Sequence, residues 1–357
     1  MTTRQSEHIR AIELSRDFFQ EVVRPAMEAE CPDLLAQAAC GRFGLGSECL
    51  GLDDAISRDH HWGPRVDMLF PERLMNSATS ELLKQVSLRF PREFRGFPLE
   101  AGHVGGAGLA PEGLDSFLHR AVGRATVPET LTDWLDIPEE DITHIINGEV
   151  WHDGPGTFSS IRAYYNQYYP DPVWKRRIAH WSRYASGMGL YPIRRAVLRG
   201  NHMYAFTAFG RCLKLTLELT FLLNRTYFPY DKWLYPLFQK LPKIAPDMDP
   251  LVQEAVEAQT GWERRIELME QAHTLLDTFM VDTGIIEAHP RFMPSATAGY
   301  RILEHAYQEL IQKSPEEIKT HVPLWDQKFL EEFHSGFVNG LTAETWDRML
   351  DLREASE

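Results

Sequence analysis

Residues 44–70, GLGSECLGLDDAISRDHHWGPRVDMLF, decide how this sequence is interpreted. The turn from Gly44 to Ser47 presents backbone N–H groups and a hydroxyl, and turns of this kind can hold phosphate oxygens. Asp59 follows Ser47 by twelve residues and stands directly before two histidines. Residues 65–70 have the apolar character of a strand, which Pro71 closes. The stretch therefore predicts a phosphate-binding turn, a group of metal-ligand candidates and a strand.

Asp59 and His61 are the candidate metal ligands. In an extended segment alternate side chains point the same way, so Asp59 and His61 would share a face while His60 points away. A carboxylate oxygen and an imidazole nitrogen are suitable ligands for a divalent ion. In the simpler alternative, Asp53, Asp54 and Asp59 are turn and helix-cap residues, and the histidines lie on the surface.

The order of these features resembles the nucleotidyltransferase superfamily, in which Gly-Ser holds nucleotide phosphates and an Asp-x-Asp or Asp-x-Glu pair binds metal. More narrowly, the sequence is similar to domain-of-unknown-function family 4037, whose members are nucleotidyltransferase-like proteins. The matching segments are 46–48, 51–54, 57–65, 134–138, 148–153 and several short stretches between 169 and 233.

The resemblance implies a nucleotidyltransferase-like mixed sheet, a nucleotide triphosphate as the donor, and a divalent metal, Mg²⁺ or Mn²⁺. It assigns Gly46, Ser47 and Arg65 to nucleotide binding. It assigns Asp59 and His61 to the metal, and Asp59 is also the predicted catalytic carboxylate.

His61 departs from the family pattern, which usually has Asp at this position, so Asp-x-Asp has become Asp-x-His. Mg²⁺ prefers oxygen ligands, whereas imidazole is better suited to Mn²⁺, Zn, Fe or Ni. The metal preference has changed, another carboxylate takes the place, or the site no longer catalyses. Asp67 has the same strand parity as Asp59, and Glu129 and Glu149 are weaker candidates for a third carboxylate.

The chain has 357 residues, a length that suggests two domains. Residues 1–157 combine amphipathic helices with short strands and Gly-rich loops, and predict a nucleotidyltransferase-like α/β domain. Residues 158–357 predict a helical domain, with a bundle over 194–245 and C-terminal helices over 250–350. The predicted fold class is α+β, a mixed sheet with flanking helices followed by an all-α domain.

The spacing of apolar residues predicts the individual elements. Helices are expected over 6–28, 72–90, 138–147 and 194–225, strands over 65–70 and 148–153, and short strands and loops over 94–130.

Charged residues recur along the predicted long helix in the second half. Arg211, Lys214 and Glu218 step by three or four residues and share a face, which suits a solvated stripe with a surface ion pair. In the functional alternative, Arg199 and Lys214 neutralise nucleotide phosphates. The family resemblance implies the same role for Lys232, for which packing beside Trp233 is the simpler alternative. Glu218 would then be the catalytic base on an acceptor hydroxyl.

The chain is acidic, with 37 Lys and Arg against 51 Asp and Glu and a net charge of −14. Such a surface repels phosphate backbones and anionic lipid, which argues against nucleic-acid and membrane partners. The four cysteines form no disulfide framework, and no signal-peptide pattern stands at the N-terminus, so the expected location is the cytoplasm. The expected partners are a nucleotide triphosphate and a small-molecule acceptor, and a cationic acceptor would suit the acidic charge. The oligomeric state is left open.

Three functions are consistent with these features. The first is transfer of a nucleoside monophosphate to a hydroxyl or amine, with release of pyrophosphate. The second is a nucleotidyltransferase-like protein that binds or senses its ligand without catalysis. The third is a different enzyme that uses Zn, Fe or Ni at Asp59, His60 and His61. The order of the motifs favours the first.

Overall fold

The computed structural model describes residues 9–59, 62–99, 107–289, 302–319 and 321, with Asp59 described by its backbone alone. The chain packs as two compact units. One contains Met1–Val127 and Glu139–Tyr168, and the other contains Pro128–Pro138 and Tyr169–Glu357. The predicted domains 1–157 and 158–357 stay a prediction.

The first unit is built on a mixed sheet of four strands in the order β5-β2-β1-β6, beside a two-stranded hairpin. The strands are β1 Ala39–Phe43, β2 Arg65–Phe70, β3 Glu93–Phe94, β4 Phe97–Pro98, β5 Gly108–Gly113 and β6 Gly148–Asp153. β1 runs antiparallel to β2 and β6, and β2 runs parallel to β5. The turn that follows β1 therefore lies at the end of the sheet where β2 begins.

The two faces of β2 have different neighbours. Val66, Met68 and Phe70 are fully buried and belong to one apolar core with Leu14 and Phe18. Since side chains alternate along a strand, the residues between them face the other side of the sheet.

β1 and β6 approach each other very closely. A Cβ atom on Gly41 would lie 2.1 Å from the Glu149 carbonyl oxygen, and one on Gly148 would lie 2.0 Å from the Arg42 carbonyl oxygen. Glycine is therefore required at both positions of this strand pair.

Helices make up most of the remaining described residues. In chain order they are α1 Ala11–Phe18, α2 Arg24–Glu30, α3 Pro32–Leu35, α4 Ser77–Ser87, α5 Leu114–Val122, α6 Leu131–Leu135, α7 Glu139–Ile146, α8 Thr157–Tyr165, α9 Asp171–Arg183, α10 Tyr191–Leu198, α11 His202–Leu223, α12 Asp231–Phe238, α13 Ala245–Val256, α14 Trp262–Asp282, α15 Glu304–Lys313 and α16 Glu316–Lys319. The α+β class, the mixed sheet and the helical character of the second half are confirmed.

The helix predicted over residues 194–225 is two helices, which is a correction. α10 ends before Arg199, Gly200 has a φ of +67°, and the Asn201 side chain accepts the Tyr204 N–H at 3.2 Å as the cap of α11. A left-handed glycine ends one helix and a side-chain cap begins the next, although the apolar periodicity continues across both.

Two buried arginines on α9 hold parts of the second unit together. Arg177 donates to the carbonyl oxygens of Trp134 at 2.9 Å and Ile137 at 2.7 Å. Arg176 donates to the Ile318 carbonyl oxygen at 2.8 Å. Segment 128–138 thus packs with the second unit although it precedes α7 in the chain.

Candidate functional site

The Gly44–Ser47 turn follows β1 directly. Gly44 has a φ of +96° and Gly46 a φ of +146°, and a Cβ on Gly46 would lie 2.3 Å from Glu48 Oε1. The Ser47 carbonyl oxygen accepts the Leu52 N–H at 2.9 Å, which folds the chain back after the turn. Glycine is therefore required at position 46, because any side chain would strain the backbone and overlap Glu48.

Four charged residues lie beneath this turn. The Arg42 guanidinium forms a buried ion pair with Glu48 and lies 3.6 Å from Asp67 Oδ2. That same oxygen accepts the Phe43 N–H at 3.2 Å, and Oδ1 accepts from Arg65 Nε at 2.8 Å. Burial lowers the pKa of Arg42, but the negative charges of Asp67 and Glu48 outweigh it and raise that pKa.

Asp67 lies on the predicted strand β2, but both of its oxygens already have partners. Arg65 Nη2 lies 2.6 Å from Asp67 Oδ1, and the partners of Oδ2 are Arg42 and a backbone N–H. Metal binding by Asp67 would therefore require this network to rearrange. Arg42 and Glu48 were missed from the sequence, although an arginine inside the short buried strand ACGRF was a signal that it needed an acidic partner.

The loop that contains Asp59 is anchored on both sides. Asp53 Oδ2 accepts the Ala11 N–H at 2.8 Å and Trp62 Nε1–H at 3.0 Å. The Arg58 guanidinium carbon lies 4.5 Å from the centre of the Trp62 ring, a cation–π contact. The hydrogen bond between Trp62 and Asp53 holds the two ends of this loop together.

The predicted metal ligands fall largely outside the described residues. His60 and His61 lie outside the described residues, and the side chain of Asp59 is not described. The backbone of Asp59 ends a 3-10 turn, Ile56–Asp59, rather than lying in an extended segment. The alternation of side chains along a strand, which paired Asp59 with His61, therefore does not apply at Asp59. The turn is stabilised by Asp54, whose Oδ1 accepts the Ser57 N–H at 2.9 Å.

Asp54 is thus a helix-cap residue, as the simpler alternative predicted. The metal assignment of Asp59 and His61 stays a prediction.

The weaker carboxylate candidates have structural partners. Glu149 accepts from Arg16 at 2.7 Å and from Trp151 Nε1 at 2.8 Å, and the Arg16 hydrogen bond lowers the pKa of Glu149. Glu129 belongs to the second unit, where its N–H donates to Asp133. Across the described residues, no three His, Cys, Asp or Glu side chains converge to hold a metal ion.

Glu218 lies on α11 in the second unit and is buried. Its Oε2 accepts from Trp181 Nε1 at 2.8 Å, and its Oε1 lies 3.6 Å from Lys214 Nζ. Lys214 also forms an ion pair with Asp231. The predicted solvated stripe is therefore wrong at Glu218, because the turns of α11 around it are buried.

The other two predicted phosphate contacts are exposed in the second unit. Arg199 follows α10, and its Nη1 donates to the Arg195 carbonyl oxygen at 3.2 Å. Lys232 lies in the first turn of α12 with Nζ 5.0 Å from the centre of the Trp233 ring. The structure brings Gly46, Ser47 and Arg65 to the same end of the sheet in the first unit, where β1 ends and β2 begins. The nucleotide assignments of Arg199, Lys214 and Lys232, and the catalytic assignment of Glu218, stay predictions.

A protein family matches the part of the chain that runs from α6 into α12. Residues 134–234 match Domain of unknown function (DUF4037). The predicted family resemblance is confirmed over this segment. The DUF4037 match contains the predicted second-unit residues, which are Arg199, Lys214, Glu218 and Lys232.

A solved structure is also similar to the chain. It is a nucleotidyltransferase-like protein from Exiguobacterium sibiricum 255-15, with 9% sequence identity and a TM-score of 0.38. The similarity covers 94% of this chain and 96% of that chain. No curated protein matches the sequence.

None of the helices that the structure describes has the length and apolar character needed to cross a membrane. The cytoplasmic location stays a prediction.

Proposed function

We propose that this chain is a metal-dependent nucleotidyltransferase. It would transfer a nucleoside monophosphate from a nucleotide triphosphate to a hydroxyl or amine of a small-molecule acceptor. The observation that carries the proposal is the Gly44–Ser47 turn, which lies at the end of the sheet where β2 begins with Arg65. The DUF4037 match over residues 134–234 supports it through the sequence resemblance, which implies a nucleotidyltransferase-like fold for that family.

The turn has the properties of a phosphate site. Positive φ angles at Gly44 and Gly46 give the turn a backbone conformation in which successive N–H groups can face a ligand. Arg65 uses Nε and Nη2 on Asp67, and its side chain is 27% exposed, so the guanidinium can also reach a phosphate. Because Asp67 fixes Arg65 from behind, little side-chain entropy is lost on binding.

Asp59 and His61 would hold the divalent ion. One carboxylate and one imidazole form a donor set that suits Mn²⁺ better than Mg²⁺. Such an ion, when bound, neutralises charge on the phosphates. The acceptor oxygen or nitrogen would attack the α-phosphorus, the bond to the bridging oxygen would break, and pyrophosphate would leave. Binding and orientation are the contributions of Gly46, Ser47 and Arg65.

Pyrophosphate release tests the proposal. The purified chain is incubated with each nucleotide triphosphate, Mg²⁺ or Mn²⁺, and a panel of hydroxyl and amine acceptors. We expect Asp59→Asn to lower the rate by about 100-fold or more. Asp33→Asn is the matched control, since Asp33 is an exposed carboxylate on α3 and its loss leaves the rate unchanged. A wild-type chain that binds no nucleotide triphosphate with either metal would refute the proposal.

A binding function without turnover is the second candidate. It is favoured by His61, which stands where the family usually has a carboxylate. Calorimetry separates the two, because a sensor binds nucleotide and releases no pyrophosphate.

A further inference from the structure

The indole of Trp62 contacts three other parts of the first unit. Its Nε1–H donates to Asp53 Oδ2 at 3.0 Å. The centre of its ring lies 4.5 Å from the Arg58 guanidinium carbon and 4.9 Å from the centre of the Phe97 ring. One side chain therefore connects the beginning of the loop, the residue before Asp59 and the β3–β4 hairpin.

Two of these contacts lead to the apolar core. Asp53 Oδ2 also accepts the Ala11 N–H at 2.8 Å, which ties the loop to the first turn of α1. Phe97 is paired with Phe94 in the hairpin, and the buried Phe94 ring lies 5.4 Å from the ring of Phe18, also on α1. The position of Trp62 is thus fixed from two sides by the core of the unit.

The hydrogen bonds of Asp53 stabilise α1 as well as the loop. Arg10, at the N-cap position of α1, makes no side-chain hydrogen bond to the helix. Asp53 supplies an acceptor to the Ala11 N–H instead, and its negative charge is favourable at the positive end of the helix dipole. The loop is therefore anchored by an interaction that the helix also needs.

Asp59 lies inside the closed loop. The hydrogen bond between Asp53 and Trp62 encloses residues 54–61, and the stacked side chains of Arg58 and Trp62 flank residues 59–61. A loop whose ends are held together has fewer conformations, so less entropy is lost when one of its residues binds a ligand. Residues that orient a metal ligand from behind are typically worth about 10–100-fold in metal affinity.

We propose that Trp62 is a positioning residue for Asp59. The inference rests on the proposed function, because Asp59 is the carboxylate that we assign to the divalent ion. Trp62 acts through the loop: its N–H on Asp53 and its ring against Arg58 restrict the segment that contains Asp59 before the ion binds.

Packing alone is the simpler role for Trp62. An aromatic ring at position 62 is sufficient to fill the space beside Phe97, whereas packing does not require an N–H directed at a carboxylate. Trp62→Phe separates the two roles, because it keeps a ring beside Phe97 and Arg58 and removes only the donor to Asp53.

Binding of Mn²⁺ alone, measured on the full chain by electron paramagnetic resonance, tests the inference without catalysis. The site is defined as the binding that Asp59→Asn removes. We expect Trp62→Phe and Asp53→Ala each to raise the Kd of this site by about tenfold. Asp53→Asn should stay close to the wild type, since an amide oxygen can still accept both N–H groups. The other oxygen of Asp53, Oδ1, accepts no hydrogen bond from the described residues.

Trp151→Phe is the matched control. Trp151 also lies in the first unit, and its Nε1–H donates to the Glu149 carboxylate at 2.8 Å. Its replacement removes the same type of hydrogen bond outside the loop, so Mn²⁺ binding should be unchanged. Thermal unfolding confirms that each variant is folded.

Limited proteolysis gives a second readout that needs no metal. Trypsin cleaves after Arg58, inside the loop, and cleavage requires the loop to open locally. Trp62→Phe and Asp53→Ala should be cut at this position about tenfold faster than the wild type. Asp53→Asn and Trp151→Phe should be cut at the wild-type rate, with the site of cleavage identified by mass spectrometry.

The pyrophosphate assay separates positioning from a general loss of structure. Trp62→Phe should raise the Mn²⁺ concentration that gives half the maximal rate by about tenfold, and lower the rate at saturating Mn²⁺ by less than about threefold. A variant that only loses folded protein would show a lower saturated rate and an unchanged half-saturating concentration.

The inference is overturned if Trp62→Phe and Asp53→Ala bind Mn²⁺ as tightly as the wild type does, or if Trp151→Phe weakens binding equally. It is also overturned if Asp53→Asn loses as much affinity as Asp53→Ala, because the charge of Asp53 and not its hydrogen bonds would then matter. A wild type without a Mn²⁺ site that depends on Asp59 overturns it too. If the site and the losses are found but the wild type releases no pyrophosphate, the transferase proposal fails and the positioning role of Trp62 stands.

Discussion

Arg42 and Glu48 form an ion pair that is buried beneath the Gly44–Ser47 turn, with side chains 2% and 4% exposed. Arg42 belongs to β1, and Glu48 begins the 3-10 turn that follows Ser47. The pair therefore closes the chain across the turn that we assign to phosphate binding. The shape of this turn depends on an internal charge interaction as well as on its glycines.

Glu48→Ala should destabilise the protein strongly. Without Glu48, the buried Arg42 keeps only Asp67, 3.6 Å away, as a counter-charge. Removing one partner of a buried ion pair typically costs about 3–5 kcal/mol. The control is Glu28→Ala, which breaks the exposed pair of Arg24 and Glu28 and should cost about 0–1 kcal/mol. The free energy of unfolding is measured by urea denaturation. Equal losses in the two variants would show that the Arg42 pair is not energetically coupled to the fold.

Gly46→Ala should damage both stability and nucleotide binding. A side chain at a φ of +146° is strained by about 1–3 kcal/mol, and its Cβ would overlap Glu48. Gly210→Ala is the contrasting control, because Gly210 lies inside α11 with no atom within 4 Å of an added Cβ. That change should stabilise the protein by about 0.5–1 kcal/mol. Calorimetric titration with a nucleotide triphosphate checks the binding loss.

His61→Asp should change the metal dependence of the proposed reaction. The wild type, with one carboxylate and one imidazole, should release pyrophosphate faster with Mn²⁺ than with Mg²⁺. A second carboxylate supplies the oxygen ligand that Mg²⁺ prefers, so the variant should gain activity with Mg²⁺. His119→Asp, at an exposed position on α5, is the control. An unchanged ratio of the two rates in His61→Asp would exclude His61 as a ligand.

His273 should make stability fall in mild acid. It is fully buried on α14 with Nε2 3.0 Å from the Thr216 hydroxyl, and burial lowers its pKa to about 3. In the unfolded chain a histidine has a pKa of about 6.5, so between these values the unfolded state binds the extra proton. This contribution to stability is complete above pH 6.5 and is lost as the pH falls toward 3, by about 1.4 kcal/mol per unit.

The measurement is the free energy of unfolding at pH 7 and pH 5. The wild type should lose about 2 kcal/mol through His273, to which the buried His180, whose pKa is lowered too, adds in the same direction. His273→Gln should flatten the profile, and His119→Gln, at the surface, should not. A profile that is equally steep in both variants would contradict the buried neutral state of His273.

Trp181→Phe should destabilise the second unit. The indole N–H is a donor to Glu218 at 2.8 Å, and a buried carboxylate oxygen that loses a donor costs about 1–3 kcal/mol. Trp233→Phe is the matched control, since its indole donates at 2.9 Å to the Tyr230 hydroxyl in a partly exposed setting and should cost less than about 1 kcal/mol. Chemical denaturation of both variants gives the comparison.

Local patterns predicted local elements well. The strand over 65–70 is β2, the strand over 148–153 is β6, and the helix over 138–147 is α7 within one residue at each end. α5 was missed within 94–130, because its nine residues follow a Gly- and Pro-rich strand that reads as loop.

Long-range pairing could not be predicted. The parity of Asp67 follows from the alternation of a strand, but its partners Arg42 and Arg65 depend on which strand lies beside β2. Likewise, Glu218 and Arg211 lie two turns apart on α11, and periodicity alone does not show that the first is buried and the second exposed. Packing against α9 and the neighbouring helices decides that difference.

The close approach of β1 and β6 has a consequence for synthesis of the chain. Ala39 of β1 pairs with Asp153 of β6, so β1 cannot complete its pairing until more than a hundred further residues have been synthesised. During that interval one edge of β1 has unpaired N–H and C=O groups, which favour pairing with other chains. Nascent chains that have not yet reached residue 153 should therefore be the species most dependent on chaperones.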